Sequence, residues 1–185
     1  WNLHNEFNMD IDKVSLLKLR ANIGTTGNQN VGLFSSNDIY NFIPNNNSFG
    51  TGLELTQLGN ENLAWQQTKD LSLGVDFEMF AGKLSGYFNA YNKKTDPLVV
   101  PINSAPSTGV TSYPLNVGYL DVKGIEWKVN YSPIYNVEKN IYLSFAVFGS
   151  YIKSEYGGFN NTLSSLDETE KNNNSLVRYR DGYSP

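Results

Sequence analysis

Apolar and polar residues alternate one for one along several stretches of this chain. Between positions 70 and 78, every odd-numbered residue is apolar and every even-numbered residue is polar or glycine. A period of two places successive side chains on opposite faces of a β-strand, and the period of an amphipathic helix is absent. The pattern predicts five strands, which begin near Leu16, Trp65, Leu84, Gly118 and Ile141.

The predicted connections between these strands alternate in length. Three long segments rich in Asn, Gly, Ser or Pro are predicted as loops: Gln29–Glu61, in which some local structure is allowed for, Asp96–Leu115 and Gly157–Pro185. Two short segments, Phe80–Lys83 and Pro133–Asn140, are predicted as turns. Large loops at one end of a meander and tight turns at the other are typical of outer-membrane barrels. We therefore predict an all-β fold, a segment of a large antiparallel transmembrane β-barrel.

Strand length and aromatic placement favour the same fold class. Each predicted strand reaches the roughly 9–11 residues of a tilted membrane strand, whereas strands in globular proteins are mostly about 5–6 residues long. Trp65, Trp127 and Tyr151 lie near predicted strand ends. Aromatic residues concentrate at such positions because amphipathic rings suit the membrane interface.

The two faces of these strands are expected to meet different surroundings. The apolar set is predicted to face lipid, and residues of opposite parity to face a polar lumen. The predicted lipid-facing residues are Leu17, Leu19, Leu71, Leu73, Val75, Ile125, Trp127, Val129, Leu143, Phe145 and Val147. Arg in place of Val75 should cost about 2–4 kcal/mol in the membrane, whereas Lys or Arg in place of Asp76 should be tolerated.

One predicted strand breaks the alternation. Leu120 and Val122 are apolar at even positions, whereas Ile125 and the apolar residues after it stand at odd positions. One extra residue in the strand would return both sets to the same face. The sequence therefore predicts a β-bulge at Lys123–Gly124.

Composition and charge limit the possible functions. The 185 residues carry a net charge of −4, which argues against nucleic-acid binding. The chain has no cysteine and one histidine, His4, and we predict no metal or cofactor. Asp70, Asp76 and Glu78 share a strand face, as a catalytic carboxylate pair would, but a polar lumen is the preferred explanation. We therefore expect no enzymatic activity.

Three stretches of the sequence resemble one protein family. They read LLKLRANIGTTGN, LGNENLAWQQTKDLSLGVDFEMFAGKLSGYFNAYNKKT and LNVGYLDVKGIEWKVNY. In this order and spacing they resemble the SusC/RagA-type TonB-linked outer-membrane transporters of Bacteroidetes, over most of Trp1–Ser154. The chain departs from the family pattern at Gln66, where Glu is usual, and at Asp121–Lys123.

The resemblance implies a plugged outer-membrane barrel of about 22 strands. It also implies an N-terminal plug, a segment that contacts TonB, and a SusD-like surface lipoprotein as partner. The implied cargo is an oligosaccharide or a peptide. Residues 1–185 are expected to form part of the barrel domain, without the plug, the N-terminal region or the final strands.

Aromatic residues in the long loops are candidates for contacting cargo, because rings stack on sugars. They are Tyr40, Phe42, Tyr113 and Tyr119. Packing of these loops against a plug or a lid is an equally open explanation. A second function also stays open at this point, a secreted β-sandwich module that binds glycans, since the aromatic and Asn content would suit it.

Overall fold

The computed structural model describes residues 1–28, 32, 34–48, 50–136, 141–160, 162–164 and 179–185. Across these ranges the helical elements are α1 (Leu3–Glu6) and a 3-10 turn at Pro106–Thr108. The strands are β1 (Val14–Asn28), β2 (Ile39–Asn47), β3 (Gly50–Gln57), β4 (Gln66–Met79), β5 (Leu84–Thr95), β6 (Val99–Asn103), β7 (Ser112–Asn116), β8 (Tyr119–Asn136) and β9 (Ile141–Gly157). None of the described helices is long and apolar enough to cross a bilayer.

The chain divides into two compact units. The first, which we call the sheet unit, comprises Trp1–Thr25, Lys69–Lys93 and Val122–Lys153. The second, which we call the loop unit, comprises Thr26–Thr68, Lys94–Asp121 and Ser154–Pro185. The three long connections predicted from the sequence lie mainly in the loop unit, whereas both predicted turns belong to the sheet unit.

The five predicted strands form one antiparallel sheet in the order β1-β4-β5-β8-β9. The turn Phe80–Lys83 joins β4 to β5 as predicted: Phe80, Ala81 and Gly82 all have positive φ. Lys83 N–H donates a hydrogen bond to the Phe80 carbonyl at 3.2 Å and closes this turn. The second predicted turn, Pro133–Asn140, is shorter than expected because β8 continues to Asn136. Residues 137–140 lie outside the described ranges.

Between positions 70 and 73 of β4 the apolar side chains are more exposed than the polar ones. Leu71 and Leu73 are 49% and 57% exposed, whereas the neighbouring Asp70 and Ser72 are half-buried. Among the described residues of the sheet unit, the fully buried positions are glycines, Gly74 and Gly124. A soluble sheet buries its apolar face against a core. In this part of the sheet the apolar side chains are the exposed ones, which is the reverse of the arrangement in a soluble sheet.

Aromatic rings cover glycines on neighbouring strands. An added Cβ on Gly157 of β9 would come within 2.5 Å of the Tyr119 ring on β8, and one on Gly149 would come within 2.9 Å of the Trp127 ring. Eight residues separate these two contacts on each strand. A residue inserted in β8 alone would make the two spacings unequal. The predicted bulge in β8 is therefore absent.

The prediction of a bulge at Lys123–Gly124 is wrong, and Gly124 is explained instead by a ring that packs against it. A Cβ on Gly124 would collide with the ring of Tyr91 on β5, so glycine makes room for that ring. Regular alternation through β8 then places Leu120 and Val122 on the face opposite to Ile125. Both side chains are half-buried, so they do not need the exposed apolar face.

Two of the predicted loops contain β-hairpins, whose strands were not predicted from the sequence. β2 pairs with β3, placing Phe42 opposite Leu53, and β6 pairs with β7, placing Pro101 opposite Pro114. Proline content indicated loops because proline cannot donate to a β-ladder. In a two-stranded ribbon every strand is an edge, where the missing N–H can point away from the partner strand.

The loop unit contains a small apolar core. Val100, Phe159 and Leu163 are 1–4% exposed, and Leu98, Ile102, Val117, Tyr156 and Tyr179 pack against them. The Asp181 carboxylate accepts hydrogen bonds from the backbone N–H groups of Phe159 and Asn160 at 2.9 and 3.1 Å. Part of the predicted loop Gly157–Pro185 is thus packed, and its residues 161 and 165–178 lie outside the described ranges.

Candidate functional site

A network of polar side chains connects three strands on one face of the sheet. Arg20 of β1 donates from Nε and Nη2 to the two carboxylate oxygens of Asp76 on β4, at 2.8 and 2.7 Å. Arg20 Nη2 also donates to Oδ1 of Asn89 on β5 at 2.8 Å. The planar guanidinium matches the carboxylate in a bidentate pair, which fixes the orientation of all three side chains.

A glycine makes space for this network. A Cβ on Gly74 would come within 2.6 Å of Asn89 Oδ1 and 2.9 Å of Arg20 Nη2. The absence of a side chain at position 74 therefore lets the guanidinium cross β4 close to the backbone. Any larger residue would push Arg20 away from Asp76.

The network borders a polar cavity of about 670 Å³. The chemically active side chains that line it come from β1, β4, β5 and β8, and they are Lys18, Arg20, Asp70, Asn89, Lys93 and Glu126. Charges of both signs and an amide surround the same space. Such a surface can form hydrogen bonds with a polar solute without selecting strongly for either sign of charge.

The carboxylates predicted to face a lumen lie on this polar side, and each has different surroundings. Asp70 lines the cavity, and Asp76 is paired with Arg20. Glu78 accepts a hydrogen bond from the Ser15 hydroxyl at 3.2 Å. The Arg20–Asp76 pair argues against the expectation that Lys or Arg is tolerated at position 76, because the new cation would lie against the Arg20 guanidinium.

The opposite face carries the residues predicted to meet lipid. Seven of them are exposed, namely Leu19, Leu71, Leu73, Ile125, Leu143, Phe145 and Val147. Four are half-buried, namely Leu17, Val75, Trp127 and Val129. Phe77 and Phe88 stack on the same face with ring centroids 6.1 Å apart. Apolar side chains thus form a continuous band across neighbouring strands.

Two of the four predicted cargo residues lie together on one hairpin. Tyr40 and Phe42 have the same parity on β2, opposite Leu55 and Leu53 of β3. Phe42 is 77% exposed and Leu53 is 63% exposed. We call this surface of Tyr40, Phe42, Leu53 and Leu55 the hairpin patch. Sequence analysis missed the two leucines, although the alternation in the segment GLELT signals them.

The other two predicted cargo residues lie on different elements. Tyr113 is half-buried on β7, opposite Ile102 of β6. The ring of Tyr119 lies against Gly157, and the Lys94 ammonium lies 4.0 Å from its centroid. Both rings therefore take part in packing within the loop unit.

The described ranges contain no cluster of three or more His, Cys, Asp or Glu residues that could hold a metal ion. The one histidine, His4, accepts a hydrogen bond at Nδ1 from the Leu17 backbone N–H at 3.3 Å. This contact ties the N-terminal segment to β1 and gives His4 a structural role.

Comparisons with known proteins agree on one family. A family model described as TonB dependent receptor-like, beta-barrel matches residues 10–184. TonB-dependent receptor P3 of Formosa agariphila is 32% identical over 141 residues, which cover 74% of this chain and 14% of that protein. TonB-dependent receptor SusC of Bacteroides thetaiotaomicron is 28% identical over 200 residues, which cover 99% of this chain and 20% of that protein.

Solved structures show the same fold. The RagAB peptide transporter matches with a TM-score of 0.75 and 22% identity, covering 85% of this chain and 17% of the matched chain. The chain spans between 13% and 20% of the length of four curated relatives. The predicted all-β, barrel-type fold class and the resemblance read from the sequence are confirmed.

Proposed function

This chain belongs to the TonB-dependent receptor β-barrel family, and from that premise we propose that it forms part of the wall of an outer-membrane importer. The predicted location, the outer membrane, is confirmed by the family. The family comprises receptors and transporters rather than enzymes. In this proposal the plug, the N-terminal region and the remaining strands of the barrel are supplied by the rest of a larger protein.

The observation that carries the proposal is the reversed polarity of the sheet. An exposed apolar band on one face and the Arg20–Asp76–Asn89 network on the other suit a wall between lipid and a polar lumen. The lipid-facing residues are then those predicted from the sequence, from Leu17 to Val147. A secreted β-sandwich would need this apolar band packed against a second sheet, and the family assignment offers no support for it.

The polar cavity and the hairpin patch are the proposed cargo surfaces. The cavity offers hydrogen-bonding groups of both charges, which suit the hydroxyl groups of an oligosaccharide or the backbone of a peptide. Tyr40 and Phe42 offer exposed rings that can stack on sugar rings or on apolar side chains. The matched RagAB structures are named for peptide import, which gives a precedent for the peptide alternative.

The proposed partners follow from the same position in the wall. A SusD-like surface lipoprotein would close over the long connections that carry the hairpin patch. TonB would supply energy through the N-terminal region, outside these 185 residues. A barrel wall cannot function alone, because the edge strands of an open sheet leave backbone groups that lipid cannot satisfy.

Uptake by cells that express the complete receptor with its lipoprotein tests this function. We would measure accumulation of fluorescent oligosaccharide and oligopeptide mixtures with and without a protonophore. We expect uptake of either the oligosaccharides or the oligopeptides, and loss of that uptake when the protonophore is added. The Tyr40→Ala/Phe42→Ala variant should bind the same cargo more weakly. Tyr183→Ala, another exposed ring of the loop unit, is the matched control. Uptake that survives the protonophore would contradict energised import.

A further inference from the structure

Two asparagine side chains join the segment that follows the β2–β3 hairpin to the β6–β7 hairpin of the same unit. Asn60 lies in the segment that leads from β3 into β4, and Asn116 is the last residue of β7. They belong to the stretches LGNENLAW and LNVGY, which carry part of the family resemblance. Both are half-buried, and the proposed function gives neither of them a role.

The amide of Asn116 pairs with the backbone of Ala64. Its Oδ1 accepts a hydrogen bond from the Ala64 N–H at 2.6 Å, and its Nδ2 donates to the Ala64 carbonyl at 2.8 Å. A neighbouring strand would satisfy the same two groups through its own backbone. Asn116 therefore holds Ala64 beside the end of β7 in the way that a paired strand would.

Asn60 makes a second link to β7. Its Nδ2 donates a hydrogen bond to the Pro114 carbonyl at 3.0 Å, and its Oδ1 accepts one from the Asn62 N–H at 3.0 Å. The backbone N–H of Asn60 donates to the Ser35 carbonyl at 3.0 Å. Because Pro114 lies on β7 and Ser35 precedes β2, one residue contacts the chain segments of both hairpins.

The base of the β2–β3 hairpin is tied to the same segment. The Gly59 N–H donates a hydrogen bond to the Asp38 carboxylate at 2.8 Å. An added Cβ on Gly59 would collide with the backbone of Asn37, so the two chain segments are in close contact. Gln57 Nε2 donates to the Phe34 carbonyl at 2.9 Å. These contacts fix the hairpin to the segment that the two asparagines hold against β7.

We propose that Asn60 and Asn116 are positioning residues for cargo capture at the hairpin patch. They hold the base of the β2–β3 hairpin against β7, so that the rings of Tyr40 and Phe42 have one orientation before cargo binds. A surface that is fixed in advance loses less conformational entropy on binding and therefore binds more tightly. The inference rests on the proposed function, because it requires the hairpin patch to contact cargo.

The concentration dependence of uptake by cells with the complete receptor and its lipoprotein tests these roles. The probe is the fluorescent mixture, oligosaccharide or oligopeptide, that the unaltered receptor takes up. Asn60→Ala and Asn116→Ala should each raise the half-saturating probe concentration roughly fivefold, because the patch must then be ordered on binding. The maximal rate per folded receptor should not change. Asn62→Ala removes an exposed amide from the same segment and, as the matched control, should change neither value.

A further variant separates positioning from stability. Leu163→Ala weakens the apolar core of the same unit without removing any of these hydrogen bonds. It should lower the number of folded receptors and leave the half-saturating concentration unchanged. If Leu163→Ala raised that concentration as much as Asn116→Ala does, the asparagines would act only through stability, and the inference would be wrong.

The orientation of the hairpin can be measured by pulsed electron paramagnetic resonance. Nitroxide labels at the exposed positions Glu54→Cys on β3 and Thr111→Cys before β7 report the distance between the two hairpins. The distance distribution should broaden in Asn60→Ala and Asn116→Ala and stay narrow in Asn62→Ala.

Two results would overturn this inference alone. One is a distribution that stays equally narrow in all variants, and the other is a broadened distribution with an unchanged half-saturating concentration. If the unaltered receptor takes up neither mixture, the proposed function fails and this inference fails with it.

Discussion

The loop unit and the sheet unit bury apolar side chains to very different extents. In the loop unit, Val100, Phe159 and Leu163 are almost fully enclosed, and five further apolar or aromatic side chains pack on them. In the sheet unit, Leu71 and Leu73 are about half exposed, and the fully buried described positions are glycines. Among the described residues, the loop unit therefore has a buried apolar core of its own and the sheet unit has none.

On the proposed function, the contrast predicts which unit needs the membrane. Burying a large apolar side chain stabilises a protein by about 1.5–3 kcal/mol relative to leaving it in water. The loop unit obtains this stabilisation from its own residues. In the proposed barrel wall, the sheet unit obtains it from lipid that covers the apolar band, so we expect the sheet to depend on the bilayer and the packed connections not to.

Removing the centre of the loop-unit core should have the largest effect. Phe159→Ala deletes a ring that is 1% exposed and should cost about 3–5 kcal/mol. Hydrogen exchange of the complete receptor should then speed up in β6 and β7 and stay unchanged in β4. Phe42→Ala, the same change at an exposed position, is the control and should alter neither. Faster exchange in β4 would mean that the sheet also depends on this core.

A charge on the apolar face tests the other half of the comparison. Val75→Arg should cost about 2–4 kcal/mol near the middle of the bilayer. Ser72→Arg, on the polar face of the same strand, should fold with little loss because the cavity beside it is polar and open. Denaturant titration of both receptors in lipid vesicles compares them. Equal losses would show that the two faces do not meet different surroundings.

Filling the space under a ring should have an intermediate effect. Gly124→Ala forces the Tyr91 ring to move and should cost about 1–3 kcal/mol. Gly24→Ala on β1 adds the same methyl group where no atom lies within 4 Å, and should be neutral or slightly stabilising. The same titration measures both variants. If Gly124→Ala left the free energy of unfolding unchanged, the Tyr91 ring would not require glycine at position 124.

The smallest predicted effect concerns the Arg20–Asp76 pair. A double-mutant cycle with Arg20→Met and Asp76→Asn should give a coupling free energy of about 1 kcal/mol, because the pair is bidentate but partly exposed. The Lys13–Asp10 pair is more exposed and should show almost no coupling. Coupling of equal size in both pairs would remove the distinction between the polar face and ordinary surface.

Regular alternation made the sheet predictable from the sequence. The odd-numbered apolar residues of β4 and β9 identified both faces, because a strand has a fixed period of two. The hairpins were missed because Pro101 and Pro114 signal loops, although each lies on an edge strand. The core around Phe159 was missed because it joins residues about 60 positions apart in sequence, and no local period encodes such contacts. Gly124 was misread because its partner, Tyr91, lies on another strand.

The most direct test of the reversed polarity is the accessibility of successive residues along β4. The chain has no cysteine, so single cysteines at positions 70 to 76 of the reconstituted receptor can carry nitroxide labels. We predict that labels at Leu71, Leu73 and Val75 collide mainly with oxygen dissolved in lipid. Labels at Asp70 and Ser72 should collide mainly with a water-soluble nickel complex. Labels at Leu73 and Val75 that are shielded from both reagents would place these residues in a closed protein core and contradict the account.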